Sequence, residues 1–371
     1  MKKQLSSLDL HFLLREFDIL KDSRIDKIYQ PEKNLLVFSL YKTNSGKKLL
    51  KINIGQSLFI AEEKEDYGEI LGFGMFLRKH LDGYFLFSTE QIKPERIIKF
   101  SFKIKESKKY LYLEFFGKGN AVLCDENNII INSLEHHEFK DRAIKPKIKY
   151  KYPIMKYNFF DLDKNSLADL LKNSKKENIV ISLATELGFG GIYSEEICLS
   201  SNMDKKQKPQ DVSEKQIQSV LSSIKKIVNK KIEPEVILWD NNLIDVVPFD
   251  LKYYDNEENK KQKFSTFNEA LSYFYSQFKE IKETEFDKKL KSLQRIIEEQ
   301  KQTIEKLKEE EIELREKGEL IYHKYNLIKE ILDEINKASK KYPWKEIKEK
   351  LKEHKIVKEV NEKERKVGIE V

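Results

Sequence analysis

The chain has 371 residues, of which 39% are hydrophobic and 36% are charged, so it can bury more than one core and is predicted to form two or three domains. Its net charge is +7, and residues 1–150 hold 27 basic against 21 acidic side chains, a surplus that fits a polyanionic partner but also a lysine-rich surface. Cys124 and Cys198 are its two cysteines, which excludes a disulfide framework. No run reaches the roughly 18 apolar residues of a membrane span, which excludes a membrane helix. Both observations favour the cytoplasm.

The first predicted domain combines a helix with a long series of strands. Residues 5–21 (LSSLDLHFLLREFDILK) place leucines on one helical face, with Ser6 or Ser7 as the N-cap. A second helix, FGMFLRKHL, interrupts the strands that follow. The strand-like runs are RIDKIYQ, NLLVFSLY, KKLLKINIG, QSLFIAE, YFLFSTEQI, RIIKFSFKI, KYLYLEFF, NAVLCDE and NIIINSLE. This order predicts an α+β sheet domain over residues 1–172.

The second predicted domain, residues 173–283, contains a glycine-punctuated turn. In SLATELGFGGIYSEEI, residues 182–197, two short apolar-periodic helices flank GFGG, where a tight turn needs positive φ. This pattern predicts a helix-hairpin-helix in which Gly188, Gly190 and Gly191 contact a nucleic-acid phosphate. The alternative is a turn that merely joins two packed helices. A capped helix at residues 213–229, returning strands and the helix STFNEALSYFYSQF complete the domain.

A heptad pattern starts at Leu290 and continues to Ile335. Eleven of its fourteen a and d positions are apolar, which predicts a coiled coil over residues 284–340. One coiled-coil helix needs a partner, so a homodimer of this fragment is predicted. Residues 341–371 begin a small middle domain and end in what resembles the middle of a fold.

Enzymatic motifs are missing from the sequence. Gly117-Lys118-Gly119-Asn120 lacks the spacing and the Ser or Thr of a Walker A loop, and no nucleophile, zinc or dinucleotide motif is present. His136-His137 lacks acidic or thiolate partners nearby in sequence. We therefore predict no catalytic residue, no metal and no cofactor.

Several segments together resemble the archaeal branch of the NFACT family, whose members include NEMF-type and RqcH-type ribosome-associated quality control factors. The segments, in the family's order from about residue 5 to residue 325, are SSLDLHFLLREF, RIDKIYQ, MFLRKHLDG, FGKGN with VLCDE, LATELGFGG, STFNEAL and KGELIY. The resemblance implies an α+β fold class with an N-terminal glycosylase-like α/β sheet domain, a helix-hairpin-helix domain and a long coiled-coil helix. It also implies that this chain lacks the family's C-terminal NFACT-R domain.

The resemblance further implies that Asp9 and the pair Glu95-Arg96 act in tRNA recruitment, since the family has an Asp and an Asp-Arg pair at these positions. Glu95 departs from that pattern, because its carboxylate lies one methylene farther out. An arginine such as Arg96 can bind phosphate or a base edge in bidentate fashion. The alternative is a structural pairing of Asp9 with Arg96 under the sheet. Arg78 and Lys79 are candidate RNA phosphate contacts or part of a solvated face.

The function implied by the family is binding to a large ribosomal subunit that carries stalled peptidyl-tRNA. Recruited tRNA, with alanyl-tRNA as a candidate, would then support template-free C-terminal tailing of the nascent chain. Glycosylases of the similar fold use an N-terminal proline amine, whereas this chain reads Met1-Lys2-Lys3, so base excision is not expected. A DNA-binding or repair-like protein and a structural coiled-coil adaptor are the alternatives, and no membrane partner is predicted.

Overall fold

The computed structural model describes residues 2–61, 67, 70–92, 94–139, 142–153, 155–277, 285–352, 356–362 and 364–369. The chain divides into two compact units, Met1–Lys279 and Glu280–Val371. The core of the first unit runs from Leu5 to Phe274 and includes residues on both sides of the predicted border at residues 172 and 173. The four-domain division therefore stays a prediction.

A nine-stranded antiparallel sheet dominates the first unit, with strand order β4-β3-β2-β1-β5-β6-β7-β8-β9. Its strands are β1 (Ser23–Glu32), β2 (Leu35–Lys42), β3 (Gly46–Asn53), β4 (Ser57–Ala61), β5 (Phe85–Gln91), β6 (Ile97–Ile104), β7 (Ser107–Glu114), β8 (Asn120–Asp125) and β9 (Ile130–Ser133). Each agrees with a run of the predicted series, because apolar runs of strand length are bounded by turn residues. A two-stranded ribbon follows, formed by β10 (His137–Glu138) and β11 (Ala143–Ile144).

The sheet bends sharply at its narrowest junction. Strands β1 and β5 pair only through Ser23 with Leu86 and Arg24 with Phe85. Phe38 on β2 and Phe102 on β6 lie three strands apart, which is roughly 14 Å in a flat sheet. Their ring centroids are nevertheless 6.2 Å apart and stacked. The two halves of the sheet therefore face each other across a shared apolar core.

Helices and a small sheet complete the first unit. The helices are α1 (Ser7–Leu14), α2 (Gly72–Leu81), α3 (Lys164–Asn173), α4 (Ile179–Thr185), α5 (Gly191–Ser200), α6 (Glu214–Val228) and α7 (Phe267–Gln277), and the small-sheet strands are β12 (Glu235–Trp239), β13 (Asn242–Val247) and β14 (Asn259–Lys263). Ser213 caps α6 through a capping box with Gln216, as predicted from the sequence.

The predicted helix over residues 5–21 is too long. Helix α1 ends at Leu14, and a short 3-10 helix, Phe17–Leu20, follows it. The reason is that the carboxylate of Glu16 turns toward α7 and accepts the N–H groups of Phe267 and Asn268, each at 2.8 Å. Those N–H groups belong to the first turn of α7, where no partner is available within the helix.

The second unit consists of α8 (Glu285–His323), α9 (Tyr325–Ser339), α10 (Trp344–Leu351), β15 (Val357–Asn361) and β16 (Lys366–Ile369). Lys324 interrupts the predicted heptad helix between α8 and α9. Apolar side chains of the heptad pattern are exposed, and Leu307 and Leu314 are 58% and 66% exposed. Leu290 lies among the residues whose side chains are outside the description. No helix in the described part of the chain is long and apolar enough to span a bilayer.

Candidate functional site

The first turn of α1 is fixed by a capping box. The Ser6 hydroxyl accepts the N–H of Asp9 at 3.1 Å, and the Asp9 carboxylate accepts the N–H of Ser6 at 2.7 Å. A serine cap of this kind stabilises a helix by about 1 kcal/mol. Local chemistry within α1 therefore fixes the position of Asp9 in the first turn of the helix.

Asp9 lies completely below the surface, with 0% exposure. Its Oδ1 accepts a hydrogen bond from the hydroxyl of Tyr193 at 2.5 Å and another from Nζ of Lys2 at 3.0 Å. Because both oxygens already have protein partners, direct contact with a ligand is not available to Asp9 in this structure. What the geometry allows is an indirect role, in which Asp9 positions the groups around it.

Lys2 stands between two buried carboxylates. Its Nζ lies 3.0 Å from Asp9 and 3.3 Å from Asp245 and donates to the carbonyl of Val246 at 2.7 Å. Burial alone lowers the pKa of Lys2, but the charges of Asp245 and Asp9 outweigh it and raise the pKa. Burial raises the pKa of Asp245, and Lys2 and the Tyr254 hydroxyl counteract that effect. We call Lys2, Asp9, Asp245 and Tyr254, together with Tyr193, the Asp9 cluster.

Arg96 is half-buried beside the first turn of α1. Its Nη1 donates to Oε1 of Gln4 at 3.1 Å and to the carbonyl of Leu5 at 3.5 Å. Burial lowers the pKa of its guanidinium, while the charges of Asp9 and Glu95 raise it. Among the described residues, no hydrogen bond or ion pair joins Arg96 directly to Asp9. The remaining N–H groups of the guanidinium leave capacity for a bidentate anion contact.

The loop between β5 and β6 clamps the start of α1. Nε2 of Gln91 donates to the carbonyl and the hydroxyl of Ser7, each at 2.9 Å, and to the carbonyl of Glu95 at 3.1 Å. The Ser7 hydroxyl donates in turn to the carbonyl of Pro94 at 2.5 Å. These contacts hold Arg96 next to the Asp9 cluster, although 87 residues separate the two in sequence.

Glu95 connects this loop with the glycine turn through Met155. Burial raises the pKa of its carboxyl above the usual value, and the nearby backbone N–H of Met155 counteracts that effect. Oε1 of Glu95 is buried and has no partner among the described residues. The side chain of Met155 reaches Gly188, where an added Cβ would lie 2.9 Å from its Cε. Glu95 therefore lies near the backbone of Met155, and the turn lies against the end of its side chain.

The glycine turn joins α4 to α5, as predicted. Gly188 and Gly190 both adopt φ of +77°, which favours glycine at both positions, and Gly190 caps α5. A Cβ at Gly190 or Gly191 would meet no described atom within 4 Å, so the start of α5 is open. Tyr193 in the first turn of α5 donates to Asp9. The turn is thus connected to Asp9 through Tyr193 and approaches Glu95 through Met155, and Arg96 directly follows Glu95 in the chain.

Arg78 and Lys79 belong to a different part of the surface. Nε of Arg78 donates to the carbonyl of Ile28 at 2.5 Å, and its guanidinium lies 5.3 Å from the centre of the Tyr29 ring. Lys79 is exposed. Within the described ranges, the contacts of Arg78 do not involve the Asp9 cluster or Arg96, and they hold α2 on β1.

The glycines of the FGKGN segment have a packing role. Gly119 has φ of +76°, and a Cβ there would lie 2.4 Å from the backbone nitrogen of Gly55. The backbone of the turn after β7 therefore packs directly against the backbone of the turn after β3. This contact leaves no room for a phosphate between the two glycines.

Sequence reasoning missed Lys2, Gln4, Tyr193 and Asp245 as parts of the site. Asp245 offers a signal in retrospect, since it interrupts the apolar strand NLIDVV and a buried carboxylate requires a charged or hydrogen-bonding partner. The identity of that partner depends on tertiary contacts across more than two hundred residues, and no local pattern encodes it.

Comparisons with known proteins relate the chain to one protein family. The sequence model of the NFACT N-terminal and middle domains matches residues 6–367. An archaeal Rqc2 homolog of Methanocaldococcus jannaschii is 30% identical over 374 residues, covering 96% of this chain and 55% of the relative. The human ribosome quality control complex subunit NEMF is 22% identical over 380 residues, covering 94% of this chain and 35% of the relative. The chain thus spans about half the length of the archaeal relative.

Among solved structures, a fibrinogen binding protein from Staphylococcus aureus is similar to this chain. It aligns with a TM-score of 0.60 at 20% sequence identity, covering 73% of this chain and 98% of that protein. At this identity the likeness concerns the fold alone. It supports a mixed α/β architecture built around a large antiparallel sheet.

Proposed function

The chain belongs to the NFACT family, and from this premise we propose that it is a ribosome-associated quality control factor which binds the large ribosomal subunit carrying stalled peptidyl-tRNA. It recruits tRNA, with alanyl-tRNA as a candidate, for template-free C-terminal tailing of the nascent chain in the cytoplasm. The relatives whose names refer to ribosome quality control support the proposal. The activity and partners remain a proposal because the chain matches only part of those relatives.

The observation that carries the proposal is the placement of Arg96. Its guanidinium is held beside α1 by Gln4 and Leu5 and keeps free donors. The charge of the buried Asp9 favours the protonated guanidinium, and Glu95, the preceding residue, lies near Met155, whose side chain reaches the open glycine turn. A half-buried arginine with free donors and an open helix start are each suitable contacts for an RNA phosphate, and the arginine can also bind a base edge.

Within this proposal, the residues have different roles. Arg96 contacts tRNA directly, and the turn of Gly188, Gly190 and Gly191 acts as a helix-hairpin-helix that contacts a phosphate. Asp9 and Glu95 position these groups. Peptidyl transfer belongs to the ribosome, and this protein delivers and orients the tRNA.

Affinity for tRNA compared with duplex DNA tests the class of nucleic acid. At moderate salt we expect the protein to bind tRNA more tightly than a DNA duplex of equal charge, as measured by filter binding. A preference for the DNA duplex would favour the alternative of a DNA-binding or repair-like protein and would contradict the proposal. Salt must be held constant, because phosphate contacts dominate both affinities.

Substitution of Arg96 tests the site. Loss of a base contact costs about 1–3 kcal/mol, so Arg96→Ala should weaken tRNA binding by about 5- to 150-fold and leave sedimentation with the large subunit intact. Glu95→Asp should be tolerated, since the carboxylate is kept. Arg295→Ala on α8, where the side chain is 82% exposed, is the matched control. If Arg96→Ala lowers the melting temperature strongly and abolishes ribosome binding too, Arg96 is a structural residue and the assignment fails.

A further inference from the structure

A row of alternating cations and aromatic rings crosses the outer face of the large sheet. Its members are direct register partners on six neighbouring strands: Lys47 on β3, Tyr41 on β2, Arg24 on β1, Phe85 on β5, Lys103 on β6 and Lys108 on β7. Directly opposed residues of neighbouring strands lie on the same face of a sheet. Five strand spacings of about 4.8 Å give this outer row a path of roughly 24 Å along the sheet surface, and the path turns at the β1–β5 junction between Arg24 and Phe85.

The outer row is exposed to solvent. Tyr41 and Phe85 are 51% and 44% exposed, and the four cationic members are exposed as well. Their sequence neighbours Leu40 and Leu86 are 1% exposed and point into the core. The alternation of strand residues therefore directs the whole row outward.

The charge of the outer row is largely uncompensated. Lys47 pairs with Asp26 at 2.8 Å. Within the described part of the chain, Arg24, Lys103 and Lys108 form no ion pair. Arg24 lies between the two aromatic rings, because it is the register partner of both Tyr41 and Phe85. The row thus presents aromatic, cation, aromatic and then two further cations.

From this arrangement we infer that the outer row binds an unpaired RNA segment. Exposed aromatic rings offer stacking surfaces to bases, and cations between them neutralise the phosphates that connect those bases. A duplex cannot offer its base faces to Tyr41 and Phe85, so single-stranded RNA fits better than a helix. The inference rests on the proposed function only in taking RNA as the nucleic acid.

The outer row is separate from the Arg96 site. Arg96 directly precedes β6, and Lys103 is near the other end of that strand. Six residues of a strand rise about 20 Å, so the two sites lie at opposite ends of the sheet. The outer row therefore binds an RNA segment that is separate from the segment at Arg96. The two segments can belong to one RNA or to two.

Fluorescence anisotropy with a short labelled oligouridylate tests the inference, with an RNA duplex, heparin and polyglutamate as competitors. The double variant Tyr41→Ser with Phe85→Ser removes both rings, and Trp239→Ser, at a strand residue that is 50% exposed, is the control. A second variant, Lys103→Ala with Lys108→Ala, removes charge, and Lys225→Ala with Lys226→Ala on α6 is its control. Melting curves establish that each variant is folded.

We expect the aromatic variant to bind oligouridylate at least about tenfold more weakly than the native protein does. Its affinity for heparin should equal that of the native protein. Removing the two lysines should reduce the salt slope by about 1.4, and both controls should bind normally. Arg96→Ala should leave oligouridylate binding unchanged, which separates this test from the test of the proposed function. Unchanged oligouridylate binding by the folded aromatic variant would overturn the inference. Equal losses for heparin, or aromatic-dependent binding of polyglutamate, would overturn it as well.

Discussion

The most informative perturbation of the Asp9 cluster is Lys2→Met, which removes its central charge and keeps the length of the side chain. Asp9 and Asp245 would then lose a cation that lies 3.0 and 3.3 Å away. Leaving a buried charge without its partner costs about 3–5 kcal/mol. That loss is a large fraction of the roughly 5–15 kcal/mol that holds a typical domain together.

The pH dependence of Lys2→Met has a definite sign. Burial already raises the pKa of Asp245 above 3.8, and without Lys2 it should rise further. A raised carboxyl pKa means that the folded state binds the proton more tightly than the unfolded state, so the variant regains stability as pH falls toward that pKa. The stabilisation from Lys2 itself is lost only as pH rises through its raised folded pKa, above 10.5.

Urea unfolding at about pH 8 and at about pH 5 measures both effects. We expect the deficit of Lys2→Met relative to the native protein to be about 3–5 kcal/mol at the higher pH and clearly smaller at the lower pH. Lys3→Met is the control, since Lys3 is exposed. A deficit below about 1 kcal/mol, or one that does not change with pH, would refute the reasoning that Lys2 balances two buried carboxylates.

Three further predictions concern the turn, the chemistry and the assembly. Gly188→Ala should destabilise the protein by about 1–2 kcal/mol in thermal melts, because φ is +77° and Met155 crowds the new Cβ. Gly191→Ala should be neutral, and equal effects of the two substitutions would contradict this account. Borohydride trapping on abasic DNA should give no adduct through Lys2, whose amine is buried and charged, and an adduct above background would contradict that. The exposed heptad seam should pair with a second copy at high concentration, and Leu307→Lys should shift light scattering toward monomer; a native protein that stays monomeric would count against the homodimer.

Local chemistry made much of the fold predictable. The Ser6 and Ser213 caps, the nine strands and the two helices around the glycine turn follow from hydrogen-bonding side chains and apolar alternation that act within a few residues. Strand β14 was not predicted because NKKQK is polar throughout, and it forms only through pairing with β12.

The candidate site was predictable only in part. The sequence resemblance proposed Arg96 and Asp9 as candidates, but the burial of Asp9 depends on Tyr193, which lies 184 residues away in the sequence. The outer row could not be predicted from the sequence for a similar reason. Tyr41, Arg24 and Phe85 align only once the register of three strands is known, and register is set by the whole sheet.

Sequencing the RNA that crosslinks to the protein tests the central claim most directly. We predict that the native protein yields tRNA together with RNA of the large ribosomal subunit, and that Arg96→Ala loses the tRNA reads and keeps the ribosomal reads. A native protein that yields neither, or an Arg96→Ala protein that retains tRNA at the native level, would contradict the account.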